Sequence, residues 1–198
     1  SFISKFKPDQ IFNLSGPSSV YQSINNPTIS KNIEIIFENL ISSLIKLNYF
    51  PNFFQASSSE MFSADVKKKL NEESLMIPNS PYAESKYNNH KKIIKIIDNY
   101  DWNIISGIMF NHESEFRGDD YLLSKIINYV KNSKIHNKQK LELGSLDYKR
   151  DWTYAKEVMD ACYFLVNEGS RGSFVIGSSK SSSIKDMVQI VFNHFDLD

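Results

Sequence analysis

The chain has 198 residues, 41% of them hydrophobic and 23% charged, the composition of one globular domain or of one with part of another. Acidic and basic residues balance at 23 each, so no net field draws in nucleic acid or an anionic membrane, any phosphate site must be local, and the expected partner is a small molecule. The single cysteine, Cys162, cannot form an internal disulfide and reads as a buried, inert thiol in the apolar stretch 161–166. No segment reaches the roughly 20 uncharged residues of a membrane span, and the first residues lack the apolar centre of a signal peptide. The expectation is a cytoplasmic protein.

Taken in chain order, Gln10 to Leu14 and Asn52 to Ala56 are short apolar or aromatic runs that end in serine-rich loops, as buried parallel strands do. Between them, residues 30–47 place Ile33, Ile36, Phe37, Leu40, Ile41, Leu44 and Ile45 at helical spacing. Ser80 and Pro81 are a cap and a first-turn proline, predicting a helix to about Asn99, followed by a strand over 103–109. A helix over 121–133, a strand at Leu141 to Leu143, a helix over 155–168 and a strand over 173–176 follow. Ser183 with Asp186 then opens an amphipathic helix to His194. This alternation predicts an α/β fold with a doubly wound, mostly parallel sheet, whose ligands lie beyond the carboxyl ends of the strands. None of the seven glycines forms the strand, glycine-rich turn and helix with which a dinucleotide-binding fold opens. The chain therefore reads as lacking that opening unit and a C-terminal part.

Tyr82 and Lys86 stand four apart on the predicted helix and share one face. A tyrosine of pKa about 10 is a poor base at neutral pH, and a nearby ammonium favours its phenolate. By itself the pair is more often an ordinary amphipathic helix with a surface lysine, and its context must decide. Its context is Gln55-Ala-Ser-Ser-Ser-Glu60, a polar cluster at the end of a strand 22 positions before Tyr82. A glutamate there can remove a proton alpha to a keto group, or can serve as a helix cap or a solvated loop residue. His112 and Arg117 form a polar loop after a buried strand, where donors suit a carboxamide or phosphates, and Arg150 offers a forked guanidinium. The histidines 90, 112, 136 and 194 have no partner at metal-ligand spacing, so no metal is expected. Lys67 to Lys69 and His90 to Lys92 read as solvated basic runs.

Together these clusters resemble the extended short-chain dehydrogenase family. The segment Phe110-Asn-His-Glu-Ser114, Glu60, and Arg150-Asp151-Trp152 are similar to its GDP-mannose 4,6-dehydratase branch. The resemblance implies a Rossmann-like fold, with residues 1–118 as the C-terminal part of an NADP-binding domain and 119–198 as part of a substrate-binding region. It implies Ser58, Glu60, Tyr82 and Lys86 as the catalytic set. Leu14, Ser15, Ser18, Tyr82, Lys86, His112 and Arg117 are then expected at the cofactor NADP, and Ser59, Asn111, Lys125 and Arg150 at a nucleotide sugar, GDP-mannose. In the loop Asn13-Leu-Ser-Gly-Pro-Ser-Ser-Val20, Pro17 replaces the family's glutamine and Ser19 its histidine, and Phe37-Glu38 stand where the family prefers Gly-Thr. The implied reaction is oxidation at carbon 4 of the sugar, loss of water across carbons 5 and 6, and return of the hydride to carbon 6, feeding deoxysugar (GDP-fucose) synthesis. An epimerase or reductase with Glu60 structural, or an inactive sugar-nucleotide-binding fragment, are the other readings. A homo-oligomer is expected for the full-length form, and the 198 residues alone are expected neither to bind NADP tightly nor to turn over GDP-mannose.

Overall fold

The computed structural model describes residues 2–62, 69–133 and 140–197; Lys67, Lys68 and His136 lie outside them. In chain order the elements are α1 (Phe2–Phe6), β1 (Gln10–Asn13), α2 (Val20–Asn25), α3 (Pro27–Lys46), β2 (Asn52–Ser58), a single 3-10 turn (Ser59–Met61), α4 (Pro81–Asn99), β3 (Ile104–Met109), β4 (Asn111–Glu113), α5 (Leu122–Ser133), β5 (Lys149–Arg150), β6 (Trp152–Tyr154), α6 (Ala155–Asn167), β7 (Gly172–Ile176), β8 (Ser182–Ser183) and α7 (Ile184–His194). They fall into two compact units, one of Ser1–Met109 with Met159–Ile176, the other of Phe110–Val158 with Gly177–Asp198. The sequence placed its division at 118/119.

The first unit is built on a parallel sheet in the order β1-β2-β3-β7. Successive strand residues face opposite sides, which explains the two different cores. Phe53 and Ile104 pack with Phe37, Ile41 and Leu44 of α3, Ile93 and Ile96 of α4, and Trp102, whose indole N–H donates to Pro51 O at 2.6 Å. On the other face Phe12 lies against Phe54 and against Tyr163 of α6, with ring centroids 6.0 and 6.4 Å apart. Helices thus cover both faces, the doubly wound arrangement the alternation predicted. Gly107 of β3 is required here, because a Cβ would stand 2.2 Å from the Phe54 ring.

A polar row crosses the middle of the sheet. Asn13, Gln55, Ser106 and Ser173 are neighbours in register across all four strands. Asn13, Gln55 and Ser106 are buried, where polar groups need partners. Asn13 Nδ2 donates to Gln55 Oε1 at 2.7 Å, and Ser106 Oγ lies 2.7 Å from Ser57 Oγ and 2.8 Å from His90 Nδ1. The helical spacing over 30–47 held, but α3 starts earlier, at Pro27 in the first turn, after a separate short helix capped by Ser19.

In the second unit β4 pairs with β6 in parallel and β5 with β8 antiparallel. Helices α5 and α7 pack through Ile126, Val130, Met187 and Val191, and α7 is opened by the Ser183/Asp186 capping box that the sequence predicted. The strand expected at 141–143 does not form. Leu141 and Leu143 instead anchor an irregular segment on the α5/α7 core, and the intervening Glu142 carbonyl is taken by Lys125 Nζ at 2.9 Å rather than by a ladder. An alternating Leu-x-Leu reports burial of one side, which a loop can supply as well as a strand.

Candidate active site

Helix α4 owes its start to Ser80, whose Oγ accepts from Ala83 N at 3.1 Å, with Pro81 at the first turn. That start aims the i, i+4 pair Tyr82 and Lys86 at the sheet, and both side chains are buried. The Lys86 ammonium sits 5.6 Å from the centroid of the Tyr82 ring and donates to Ala56 O at 2.8 Å. Ala56 lies one residue past the last rung between β1 and β2. Burial lowers the Lys86 pKa from 10.5 to about 8, so the group is still mostly protonated at neutral pH. Its charge is therefore available to favour a nearby phenolate.

The strand carrying Ala56 runs on through Ser58, two residues further than predicted, and ends in the 3-10 turn that holds Ser59 and Glu60. Ser58 caps that turn, its Oγ accepting from Glu60 N at 3.2 Å. Glu60 is half-buried, and helix α4 packs against this turn. The structure thus places the four residues of the expected catalytic set on α4, the end of β2 and the 3-10 turn that follows it, all in one unit. In the same unit Leu14, Ser15 and Ser18 lie exposed in the loop between β1 and α2. Gly16 in that loop adopts φ +118°, with Ile33 Cγ1 of α3 only 3.1 Å from where a Cβ would be, so the turn depends on glycine.

The second unit carries the remaining expected residues. Asn111, His112 and Glu113 form β4. His112 Nδ1 donates to Phe110 O at 3.0 Å, since a carbonyl only accepts, and this fixes the tautomer with Nε2 unprotonated in the neutral ring. Arg117 is clamped, with Nε 3.3 Å from Glu113 Oε2 and its guanidinium carbon 3.6 Å over the Tyr121 ring. Burial raises the Glu113 pKa, against the pull of Arg117 and His112. Lys125 and Arg150 are exposed and outside this cluster: Lys125 turns to Glu142, and Arg150 donates to Lys149 O at 3.0 Å near Tyr148. Asp151, its neighbour, accepts from the backbone and hydroxyl of Ser178, at 3.0 and 2.8 Å, and so holds the loop after β7.

Sequence reasoning missed the polar row beneath α4. Asn13, Gln55, Ser106 and His90 are scattered over more than ninety positions and share no motif; only the strand register assembles them. Among the described residues no group of three or more His, Cys, Asp or Glu is placed to hold a metal, and no helix is long and apolar enough to cross a membrane.

The fold is the Rossmann-like one of nucleotide-sugar-modifying enzymes. It superimposes with a TM-score of 0.89 on RMD from Pseudomonas aeruginosa solved with NADPH, at 19% identity over 96% of this chain and 67% of that one. With the dTDP-glucose 4,6-dehydratase DesIV from Streptomyces venezuelae, solved with NAD and TYD bound, the TM-score is 0.87 at 17% identity over 97% of this chain and 59% of that one. The sequence goes further, because the GDP-mannose 4,6 dehydratase family model matches residues 1–198, and the chain belongs to that family. It is 32% identical to the GDP-mannose 4,6 dehydratase of Drosophila melanogaster over 98% of this chain and 50% of that protein. With the Sinorhizobium fredii (strain HH103) protein of the same name it is 28% identical over 96% of this chain and 55% of that protein. The chain spans about half the length of the curated relatives it matches.

Proposed function

We propose that the protein is a lyase that converts GDP-mannose to GDP-4-keto-6-deoxymannose in the cytoplasm, with NADP as its nicotinamide cofactor, for deoxysugar synthesis such as that of GDP-fucose. The observation that carries the reading is the buried pair Tyr82 and Lys86 on the face of α4, packed against the turn that bears Ser58 and Glu60. The cofactor fits these residues: Lys86 gives one donor to Ala56 O, and an ammonium has two more to offer the hydroxyls of a ribose. When bound, NADP takes up the hydride from carbon 4 of the sugar and returns it to carbon 6.

Tyr82 takes the proton of the carbon-4 hydroxyl as that hydroxyl is oxidised, and Lys86 stabilises its phenolate. Ser58 hydrogen-bonds the same sugar oxygen. The 4-keto group acidifies carbon 5, where Glu60 removes the proton; the carbon-6 hydroxyl takes up a proton and departs as water, and a proton exchanged with solvent returns to carbon 5 when the hydride reaches carbon 6. Leu14, Ser15, Ser18, His112 and Arg117 would contact the cofactor, and Ser59, Asn111, Lys125 and Arg150 would contact the nucleotide sugar. In this reading residues 1–118 serve the cofactor and the chemistry, and 119–198 the substrate. The full-length form assembles as a homo-oligomer, with neither nucleic acid nor membrane as partner.

The test is Glu60→Gln in the protein at its full encoded length, with Tyr82→Phe beside it. Tyr82→Phe stops oxidation at carbon 4. Glu60→Gln leaves that oxidation in place and slows elimination by about 10²- to 10⁴-fold, the contribution of one positioned base. Quantitation of the keto product and of transient NADPH separates the two steps; elimination at an undiminished rate in Glu60→Gln assigns Glu60 a structural role and overturns the reading.

A further inference from the structure

A chain of hydrogen bonds with a single direction runs from the β1–α2 loop to Ala56 O, the oxygen on which Lys86 also converges as a donor. Ser15 N donates to Asn13 Oδ1 at 3.3 Å, Asn13 Nδ2 to Gln55 Oε1 at 2.7 Å, and Gln55 Nε2 to Ala56 O at 3.2 Å. Lys86 Nζ donates to that same oxygen at 2.8 Å. Asn13, Gln55 and Lys86 are 3%, 1% and 6% exposed, so water does not compete along the path. An amide can ordinarily turn over, exchanging its oxygen and nitrogen. Here the Ser15 N–H holds Asn13 with its NH₂ toward Gln55, which holds Gln55 with its own NH₂ toward Ala56. A carbonyl oxygen has two acceptor sites, and both are occupied, one by a neutral donor and one by the ammonium.

We propose that Gln55, oriented by Asn13, is a positioning residue for Lys86: by sharing the Ala56 carbonyl it sets where the ammonium sits and how firmly that carbonyl holds its proton. Because the first donor in the chain is a backbone N–H of the β1–α2 loop, the conformation of that loop reaches Lys86 through Asn13 and Gln55 rather than by contact. The consequence for catalysis rests on the dehydratase reading; the effect on Lys86 does not. The ionisable groups that the packing elements bring toward α4 are Tyr21 on α2, Glu34 and Glu38 on α3, and Glu60, while β2, β3 and β7 carry none. Glu34 accepts from Ser85 and Asn88, and Glu38 pairs with Lys92. On its own helix Lys86 shares its face with Tyr82 and His90.

The test is an NMR titration of Lys86 through its 13Cε signal in 13C-lysine-labelled protein, assigned with Lys86→Arg. It requires no turnover, so a failed dehydratase assay leaves its answer intact. In the unsubstituted protein the Gln55 side-chain NH₂ signals move with the same midpoint as Lys86. Gln55→Met removes the competing donor and raises that midpoint by about half a pH unit or more. Asn13→Asp places an acceptor-only group against Gln55, turns its amide over, presents Oε1 toward Lys86, and raises the midpoint further. The double variant falls short of the sum, because without the Gln55 amide the change at position 13 acts on Lys86 only through the charge of the new carboxylate and not through the turned amide. A Gln55 amide signal that stays flat through the Lys86 titration, an unmoved midpoint in Gln55→Met with α4 amide signals intact, or full additivity overturns the proposal.

Discussion

Lys86 is a cation held away from water by the elements that hold it near Tyr82, and its protonation reads out in stability. Its pKa is 10.5 in the unfolded chain and about 8 in the fold, so between these values the unfolded state binds the extra proton. Stability from this group therefore rises with pH across the window from about 8 to 10.5, and below it the buried ammonium is a penalty of at most about 3 kcal/mol. Urea unfolding of the protein beside Lys86→Met should show the two converging as pH climbs through that window; parallel curves would place Lys86 in solvent. At Gly107 the constraint is steric. Gly107→Ala drives a methyl into the Phe54 ring inside a packed core and should lower stability by about 1–3 kcal/mol in the same assay. Chemistry-bearing residues such as Tyr82, Lys86 and Glu60 were legible because the family resemblance set their type and spacing. Asn13 and Gln55 were not, because an isolated amide carries no periodicity and acquires its role only when strands 42 residues apart come into register.

At the scale of elements, the long ones were plain in the sequence. Helices α3, α4, α6 and α7 have apolar stripes or caps that local rules detect, and β2, β3 and β7 are apolar runs between breakers. The short strands β4, β5, β6 and β8 span two or three residues each and exist through their pairing, so no local signal announces them. The start of α4 deserves a direct test because it aims Tyr82. Ser80→Ala removes the acceptor for Ala83 N and should cost about 1 kcal/mol, with Ser80→Thr largely restoring it. Hydrogen exchange should localise the loss to the first turn of α4. A uniform loss across the sheet would mean that Ser80 supports the core rather than the helix end.

For the molecule as a whole, the order of strands and helices gave the parallel doubly wound sheet, and the register of that sheet assembles a polar row across its middle. The Asn13, Gln55, Ser106 row beneath α4 follows the apolar rungs at Phe53 and Ile104, and β3 continues beyond it to Ile108 and Met109. The division into units was less legible: α6 straddles it, and β7 returns to the first unit after an excursion of some fifty residues through the second, which no composition shift marks. The central claim is that this framework serves a dehydration, and it is tested most directly by incubating the protein at its full encoded length with GDP-mannose and NADP in heavy water and examining the sugar by mass spectrometry and NMR. Removal of the carbon-5 proton by Glu60 predicts a 4-keto-6-deoxy product that has lost water and carries solvent deuterium at carbon 5, with the former carbon-4 hydrogen at carbon 6. A sugar that keeps its carbon-6 hydroxyl and its carbon-5 hydrogen, changed only at carbon 4, would contradict the account.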